Sequence, residues 1–394
     1  MARLAMRTAW ARDAGSFGEA LAAARARGRD LLDLCASNPT RVGLHYPAAE
    51  LSAALAGTAA LPYTPVPLGL ASAREAVARP WQERGWRGGS EHVLLTASTS
   101  EAYSYLFRLL LDPGDSLLVP RPSYPLFHCL AGLDDVRLLN YRLDPAADWA
   151  IDLAEIEAAI DGSTRAIVVV SPNNPTGSLL RRGELDTLAR LCRGHDLALI
   201  GDEVFGDYVF TTDREAVGGL PSAAGLEEVL WFAMGGLAKS AGLPGHKLAW
   251  TLAGGPPTQV REALARLAII ADAYLSPAMP IQAALPRLLE LAPGIQGAIR
   301  ARLRQNLAAL ERLAGTPVSA LPVAGGWSVV LRLPAIRSDE EWAGCLLAAD
   351  SLALYPGHLF EFDRPTFLVA SLLPAPEVFS AGLDRLVARV GREC

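Results

Sequence analysis

Two lysines stand out in this chain because every other basic residue is arginine. Of the 36 basic residues, only Lys239 and Lys247 are lysine, and the other 34 are arginine. A primary amine can lose its proton and attack a carbonyl carbon to form a Schiff base, whereas a guanidinium stays charged and cannot. Both lysines lie in one glycine-rich segment, 235–247. This distribution favours amine chemistry in that segment over chance retention.

A second group of polar residues follows an apolar segment at 92–97. Ser98 and Glu101 have the spacing of a capping box at the start of a helix, and Thr99 and Ser100 lie between them. The free N–H groups and the dipole of a helix N-terminus attract an anion such as phosphate, with the hydroxyl groups as further donors. A plain helix cap requires no ligand, so this group alone leaves both interpretations open.

Two more polar groups also follow apolar segments. The loop 171–177 reads Ser-Pro-Asn-Asn-Pro-Thr-Gly and includes Asn174, and Asp202 closes the segment 197–201. A turn or a helix cap explains each of them separately. Taken together, the residues offer a phosphate site, an asparagine amide, a carboxylate and a lysine. Pyridoxal 5′-phosphate requires this set for its phosphate, ring oxygen, ring nitrogen and aldehyde.

The apolar segments predict the sheet that must position these residues. Helical patterns, clearest at 99–111 and 183–193, alternate with the segments, which indicates βαβ units and a mainly parallel sheet in an α/β fold. The glycine-rich stretch before the last segment offers no crossover helix, so we expect the last strand to be antiparallel. The predicted strands are 92–97, 116–120, 136–141, 166–170, 197–201, 229–233 and 248–252. Ligands of open α/β sheets bind outside the carboxyl ends of the strands, where all the polar groups fall.

The two ends of the chain predict a smaller α+β domain. Helical patterns at 285–291 and 297–313 precede a strand at 327–333, a helix at 339–349 and a strand at 367–372. A helical pattern at 13–35 precedes the large sheet, and 258–275 reads as one long helix. We therefore expect a large domain at 46–284 and a small domain built from 1–45 and 285–394.

With these motifs, the chain resembles the pyridoxal-phosphate enzymes of fold type I, in particular the class I/II aminotransferases, over about residues 31–371. The resemblance implies that Asn174 contacts the ring oxygen of the cofactor and that Asp202 pairs with the pyridine nitrogen. It makes Lys239 the residue that forms the Schiff base with the cofactor. Lys247 occupies the position where the family usually has a phosphate-binding arginine.

The same resemblance assigns four further cofactor residues. Thr99 and Ser100 match the phosphate-binding turn, and Tyr124, in Arg-Pro-Ser-Tyr-Pro, matches the aromatic residue that stacks on the cofactor ring. Tyr63, in Leu-Pro-Tyr-Thr-Pro, matches a tyrosine that reaches the phosphate bound by the neighbouring subunit. The family resemblance therefore also implies a homodimer with shared active sites.

Three positions depart from the family pattern. Phe205 stands where the family has a tyrosine that donates to the ring oxygen of the cofactor. Lys247 stands where the family has an arginine, so a compact ammonium charge replaces a planar guanidinium that can donate two parallel hydrogen bonds. In the late strand, Val369 replaces the arginine that usually binds the carboxylate of the substrate. Arg364 and Arg332 are the nearby alternatives, and Arg364 is the substrate-binding candidate.

The composition of the chain limits the kinds of partner that we expect it to bind. Apolar residues make up 51% of the chain, the net charge is −6, and no apolar run reaches the roughly 18 residues of a membrane span. We therefore expect neither a nucleic acid nor a membrane as partner. The start of the chain has no apolar core of a signal peptide, and the five cysteines are scattered, which favours a reducing cytoplasm. The six histidines show no metal-ligand spacing, so we predict no metal site.

These observations predict an aminotransferase that uses pyridoxal 5′-phosphate, an amino donor and a keto acceptor. The missing arginine keeps open another reaction on the same cofactor, namely β-elimination or decarboxylation by a lyase. A non-catalytic protein that binds the cofactor is a further alternative, against which the retained Lys239 argues.

Overall fold

The structure is a computed structural model that describes residues 4–9, 15–26, 31–56, 65–213 and 215–393. Strands and helices alternate through the middle of the chain. The strands are β1 (Leu32–Asp33), β2 (Val93–Thr96), β3 (Ser116–Arg121), β4 (Arg137–Asp144), β5 (Ala150–Ile151), β6 (Thr164–Val170), β7 (Ala198–Asp202), β8 (Trp231–Gly236), β9 (Ala249–Gly254), β10 (Ser319–Ala320), β11 (Ser328–Arg332), β12 (Leu352–Ala353), β13 (Tyr355–Pro356) and β14 (Phe367–Ser371).

The α-helices cover both faces of the large sheet and connect most of its parallel strands. They are α1 (Gly15–Ala26), α2 (Ala48–Ala56), α3 (Ala71–Glu83), α4 (Thr99–Leu110), α5 (Phe127–Leu133), α6 (Leu153–Ala159), α7 (Arg182–His195), α8 (Leu237–Ser240), α9 (Pro257–Asp272), α10 (Met279–Ala309), α11 (Asp339–Asp350) and α12 (Pro376–Glu393). Within the described ranges, none of these helices has both the length and the apolar composition that are needed to cross a membrane.

The large sheet has the strand order β2-β9-β8-β7-β6-β3-β4-β5. Its seven longer strands are the predicted ones, and β9 is antiparallel to both neighbours, as expected from the glycine-rich connection before it. The α/β fold with a mainly parallel sheet is therefore confirmed. The prediction of seven strands missed the antiparallel edge strand β5, because two residues are too few to show an apolar pattern.

Alternating side chains divide the core between the two faces of this sheet. On one face, Leu94 and Ile200 pack with helices α4 and α9, and on the other face Leu95 and Leu199 pack with α3, α7 and α10. Strands buried on both faces read as continuous apolar runs, which explains why their positions could be predicted. The same alternation directs neighbouring residues at a strand end to opposite faces of the sheet.

Helix α10 corrects one prediction. The patterns at 285–291 and 297–313 indicate two helices, whereas the structure has one helix of 31 residues that contains Pro286 and Pro293. A proline inside a helix removes a hydrogen bond and usually ends or bends it. Here a buried stripe that includes Leu285, Leu288 and Ile299 packs the helix along its length and offsets that cost.

The late part of the chain forms a second sheet, in the order β10-β11-β14-β13, with antiparallel pairing throughout. The predicted strands at 327–333 and 367–372 are its central pair. Near the start of the chain, β1 pairs in parallel with β12, so the predicted helix at 13–35 is shorter, and within the described residues it spans Gly15–Ala26.

Candidate active site

Lys239 lies one turn after the end of a central strand, in the short helix α8 that follows β8. Burial lowers the pKa of its amine, and the negative charge of Asp202 opposes that shift. Its Nζ lies 5.4 Å from the centre of the Phe205 ring and 5.0 Å from the centre of the Trp327 ring. The aromatic faces give the ammonium form some compensation for its lost hydration. The amine is therefore withdrawn from water, lies beside two aromatic rings and is easier to deprotonate than a lysine in water.

Two tyrosines fix the backbone around this lysine. The Tyr208 hydroxyl donates to the carbonyl of Lys239 at 2.9 Å, and the Tyr46 hydroxyl donates to the carbonyl of Gly242 at 2.8 Å. Gly242 has a φ of +61°, and a Cβ there would come within 2.9 Å of Ile299 Cδ1. Only glycine fits this close, left-handed turn without strain, so the turn sets the direction in which the lysine leaves the sheet.

Asp202 ends β7, directly beside the strand that leads to the lysine. In the parallel pairing of β7 and β8, Asp202 lies opposite Met234. Its carboxylate accepts hydrogen bonds from the Tyr103 hydroxyl at 3.0 Å and from the Val204 N–H at 3.2 Å. Burial raises the pKa of Asp202, while the two hydrogen bonds and the nearby Lys239 lower it. The result is a buried, oriented carboxylate with lone pairs left for a further donor.

The N-terminus of α4 provides backbone donors at the same edge of the sheet. Ser98 Oγ accepts from the Glu101 N–H at 3.1 Å, and Glu101 Oε2 accepts from the Ala97 N–H at 2.6 Å, which confirms the predicted helix cap. Within the described residues, the N–H groups of Thr99 and Ser100 have no hydrogen-bond partner. These groups and the helix dipole form a site suited to an anion.

Tyr124 lies in the loop after β3 and reaches the same place. Burial and the charge of Asp202 raise the pKa of its hydroxyl, and the nearby Ser100 side chain lowers it. Its ring packs edge-on against Phe127, with centroids 6.3 Å apart and an interplanar angle of 87°. The packing holds the ring in position while Ser100 and Asp202 lie within range of its phenol.

Asn174 lies in the loop 171–177, which follows β6. The neighbouring Asn173 builds the loop, because its Oδ1 accepts from the Thr176 N–H at 3.3 Å and from the Thr176 hydroxyl at 3.0 Å. The side chain of Asn174 is partly exposed and makes no hydrogen bond to another described residue. Its amide therefore remains available to a ligand at the strand ends.

Lys247 lies at the same edge, just before β9. Gly236, the last residue of β8, pairs with Ala249, the first residue of β9. Lys247 comes two residues before Ala249, so it lies close to the end of β8, the strand that leads to Lys239. Its φ is +44° and its side chain is exposed. The ammonium makes no ion pair with the acidic residues that the structure describes, which leaves it free to contact an anion.

Tyr63, a predicted site residue, lies outside the described residues. Arg364 is exposed in a loop whose neighbouring Asp363 pairs with Arg121, at the end of β3, at 3.0 Å. Three strand spacings, about 14 Å, separate β3 from β8, which leads to Lys239. The position of Arg364 therefore does not support the expectation that it binds the carboxylate of the substrate.

Arg332 is no substitute, because it lies at the wrong end of its strand. The register pairs Ser328 with Ser371 at the end next to Trp327, and Arg332 with Phe367 at the other end. Four residues of strand correspond to about 13 Å. Val369, at the position of the usual arginine, is only 1% exposed.

Sequence reasoning missed three residues that shape the site, namely Tyr103, Tyr208 and Trp327. Tyr103 carried a usable signal, since it lies one helical turn after Thr99 on a helix whose start was already singled out. Trp327 carried none, because it comes from a sheet more than 80 residues further along the chain and joins the lysine only through tertiary packing.

Comparison with known proteins adds independent findings. The profile of the family described as "Aminotransferase class I and II" matches residues 29–340. Glutamate-pyruvate aminotransferase AlaA of Escherichia coli K12 is 32% identical over 222 residues, which cover 56% of this chain and 54% of that protein. The chain thus matches about half the length of that relative. Alanine aminotransferase of Mycobacterium tuberculosis H37Rv is 29% identical over 92% of this chain and 86% of that protein.

A solved structure agrees with these relatives. A single mutant of aspartate aminotransferase from Thermus thermophilus superposes with a TM-score of 0.85 at 26% identity, and the match covers 99% of this chain and 100% of that chain. The family profile spans most of the sequence, including the strand ends that carry Asp202 and Lys239. The chain therefore belongs to the class I and II aminotransferase family.

Proposed function

We propose that this protein is an aminotransferase that uses pyridoxal 5′-phosphate to move an amino group from an amino donor to a keto acceptor. The observation that carries the proposal is the meeting of a buried amine and a buried carboxylate at adjacent strand ends. Asp202 is close enough that its charge raises the pKa of Lys239 against the effect of burial. The membership of the family supports the same reaction class.

The donor set at the strand ends fits this cofactor. Asp202 keeps unused lone pairs for a ring N–H, and the unpartnered N–H groups of Thr99 and Ser100, together with Lys247, suit a phosphate. The amide of Asn174 would donate to the ring oxygen, and Tyr124 would stack on the ring. When bound, the cofactor supplies an aldehyde and a ring that delocalises the electron pair left on the substrate carbon.

Lys239 has two tasks in this proposal. Its lowered pKa increases the fraction of free amine, which is the form that attacks a carbonyl carbon. Once the substrate amine has displaced it, the same nitrogen would be a base that takes a proton from the substrate carbon and delivers it to the cofactor carbon that carried the aldehyde. Asp202 stays ionised to hold a proton on the ring nitrogen, and Tyr103 and Val204 orient its carboxylate by hydrogen bonds.

A half-reaction tests the function directly. The loaded protein, given an amino donor and no acceptor, should release about one equivalent of keto product per site and then stop, because the amino group stays on the enzyme. Continued turnover without an acceptor would instead establish a lyase. No product from any donor, whether an α-amino acid or an amine without a carboxylate, would leave a non-catalytic binding protein.

Phe205 leads to a prediction about the charge state of the cofactor. A phenol at this position would donate to the ring oxygen, and a hydrogen bond to a charged group contributes roughly 1.5–3 kcal/mol, or about one to two pKa units. We therefore expect Phe205→Tyr to lower the pKa of the lysine nitrogen bonded to the cofactor, read from the absorbance during a pH titration. Phe205→Leu, which lacks both ring and phenol, is the control. An unchanged or higher pKa in Phe205→Tyr would contradict a phenol within reach of the ring oxygen.

We also propose the division into a large domain at 46–284 and a small domain from 1–45 and 285–394, supported by the pairing of β1 with β12. A reducing cytoplasm is proposed from the scattered cysteines of the sequence.

A homodimer is proposed from the position of Tyr63 in the family pattern and from an apolar surface patch at the end of α9. In that patch Ile269 is 74% exposed and Leu275 is 61% exposed.

The dimer has its own test. If Tyr63 of one subunit reaches the phosphate bound by the other, Tyr63→Phe should weaken cofactor retention about tenfold without changing the Tm of the protein without cofactor, because one hydrogen bond to a charged group is lost. Equilibrium dialysis measures the retention, and light scattering measures the mass. A fully active monomer at low concentration would refute the dimer.

A further inference from the structure

A cavity of about 320 Å³ lies on the face of the central sheet opposite Asp202 and Tyr103. Gly201 and Glu203 line it, whereas Asp202 between them turns to the other face and contacts Tyr103. Helix α3 and helix α10 form two of its walls. The apolar part of the lining includes Val77, Pro80, Trp81, Leu220, Trp250 and Leu252.

Glu203 and Asp207 are the acidic residues that line this cavity, and Arg84 is its basic residue. Glu203 Oε1 accepts a hydrogen bond from the Leu220 N–H at 2.6 Å, whereas Oε2 has no hydrogen bond or ion pair with any residue that the structure describes. Burial and, to a smaller extent, Asp202 raise the pKa of Glu203 while the Leu220 N–H and Arg84 lower it, and the net pKa is about 7. A partly buried carboxylate with one oxygen free of hydrogen bonds is stabilised by a cation that pairs with it.

A tryptophan ring lies beside that free oxygen. Gly219, with a φ of +127°, packs so closely here that an added Cβ would lie 2.5 Å from Trp81 Cη2 and 2.9 Å from Glu203 Oε2. Trp81 Cη2 and the carboxylate oxygen are therefore within about 5.4 Å of each other. The Trp81 ring already attracts a cation, since the guanidinium carbon of Arg84 lies 5.0 Å from its centre. A carboxylate next to an indole is a combination that recognises organic ammonium ions.

We propose that this cavity is a second binding site, for a small apolar molecule that carries one ammonium group. The ammonium pairs with Glu203 Oε2 beside the Trp81 ring, and the apolar part of the molecule fills the space between α3 and the sheet. A neutral molecule of the same size gains only the apolar contacts. A carboxylate ligand is disfavoured because Glu203 repels it.

The test uses the cofactor-loaded protein and N,N-dimethylbenzylammonium as probe. A tertiary amine cannot form a carbon–nitrogen double bond with an aldehyde, so it does not react at the cofactor site. Titration calorimetry at pH 7 should show binding with a Kd of about 1 mM, in keeping with a ligand of this size. Because the pKa of Glu203 is about 7, binding should also release about half a proton, seen as a dependence of the heat on the buffer. Benzyl alcohol, a neutral probe, should bind at least tenfold more weakly.

Three variants separate this site from other binding. Glu203→Gln keeps an oxygen that can accept from the Leu220 N–H but removes the charge, so it should weaken probe binding at least tenfold and abolish the proton release. Ala76→Phe narrows the cavity from α3 and should weaken binding without altering the carboxyl group. Glu228→Gln, at a position 78% exposed, is the matched control and should bind as the wild type does. No binding by the wild type, or equal affinity in Glu203→Gln and wild type, would overturn the proposal.

Discussion

Replacing Lys239 by alanine is expected to lower kcat by roughly 10³-fold or more, because the variant loses both the nucleophile and the base that moves the substrate proton. The other lysine of the chain, Lys247, is proposed to contact the phosphate, so it is not expected to replace the amine that lies beside Phe205 and Trp327. Single-turnover kinetics with the loaded protein measures the loss. Adding a small primary amine to the solution should restore part of the rate.

The matched control is Lys247→Ala, since these two are the lysines of the chain. Its exposed ammonium is proposed to contact the phosphate, so its loss should weaken cofactor binding while the covalent bond to Lys239 still forms. If Lys239→Ala retained most of the activity while Lys247→Ala lost it, the assignment of the two lysines would be reversed.

The second large effect is expected for Asp202→Asn. Tyr103 and Val204 donate to different carboxylate oxygens, so the amide oxygen can keep one of these two hydrogen bonds, but the negative charge that would hold a proton on the ring nitrogen is gone. Breaking a buried charge pair costs about 3–5 kcal/mol, which corresponds to a fall in kcat/KM of roughly 10²–10⁴-fold. The rate constant of the half-reaction reports this fall.

Tyr103→Phe provides the control for Asp202. It removes one hydrogen bond to the carboxylate and leaves the charge, so a fall of about tenfold is expected. Equal losses in both variants would mean that orientation of the carboxylate matters as much as its charge. A nearly wild-type rate in Asp202→Asn would remove Asp202 from the mechanism.

The strands and the site residues could be predicted for the same reason. Strands buried on both faces read as apolar runs, and function concentrates where such runs end, so Asp202 and the loop with Asn174 could be located from local sequence. Lys239 had the further signal of being one of two lysines among 36 basic residues. None of these inferences required knowledge of how distant segments pack.

What could not be predicted depends on tertiary packing. Helix α10 continues through Pro286 and Pro293 because its buried side chains outweigh the local preference to stop. Trp327, next to the second sheet, reaches the lysine, and Arg364 lies in an exposed loop whose Asp363 pairs with Arg121 at the end of β3. The cavity around Glu203 likewise exists only once α3 and α10 have packed on the sheet.

The most direct test of the central claim is to find the lysine that bonds to the cofactor. Borohydride reduces the carbon–nitrogen double bond to a bond that survives digestion, and trypsin does not cleave after a modified lysine. Modification of Lys239 therefore predicts one labelled tryptic peptide, 215–247, that contains an uncleaved Lys239. A labelled peptide 240–261, with Lys247 modified, or the absence of any label on the loaded protein, would contradict the proposed site.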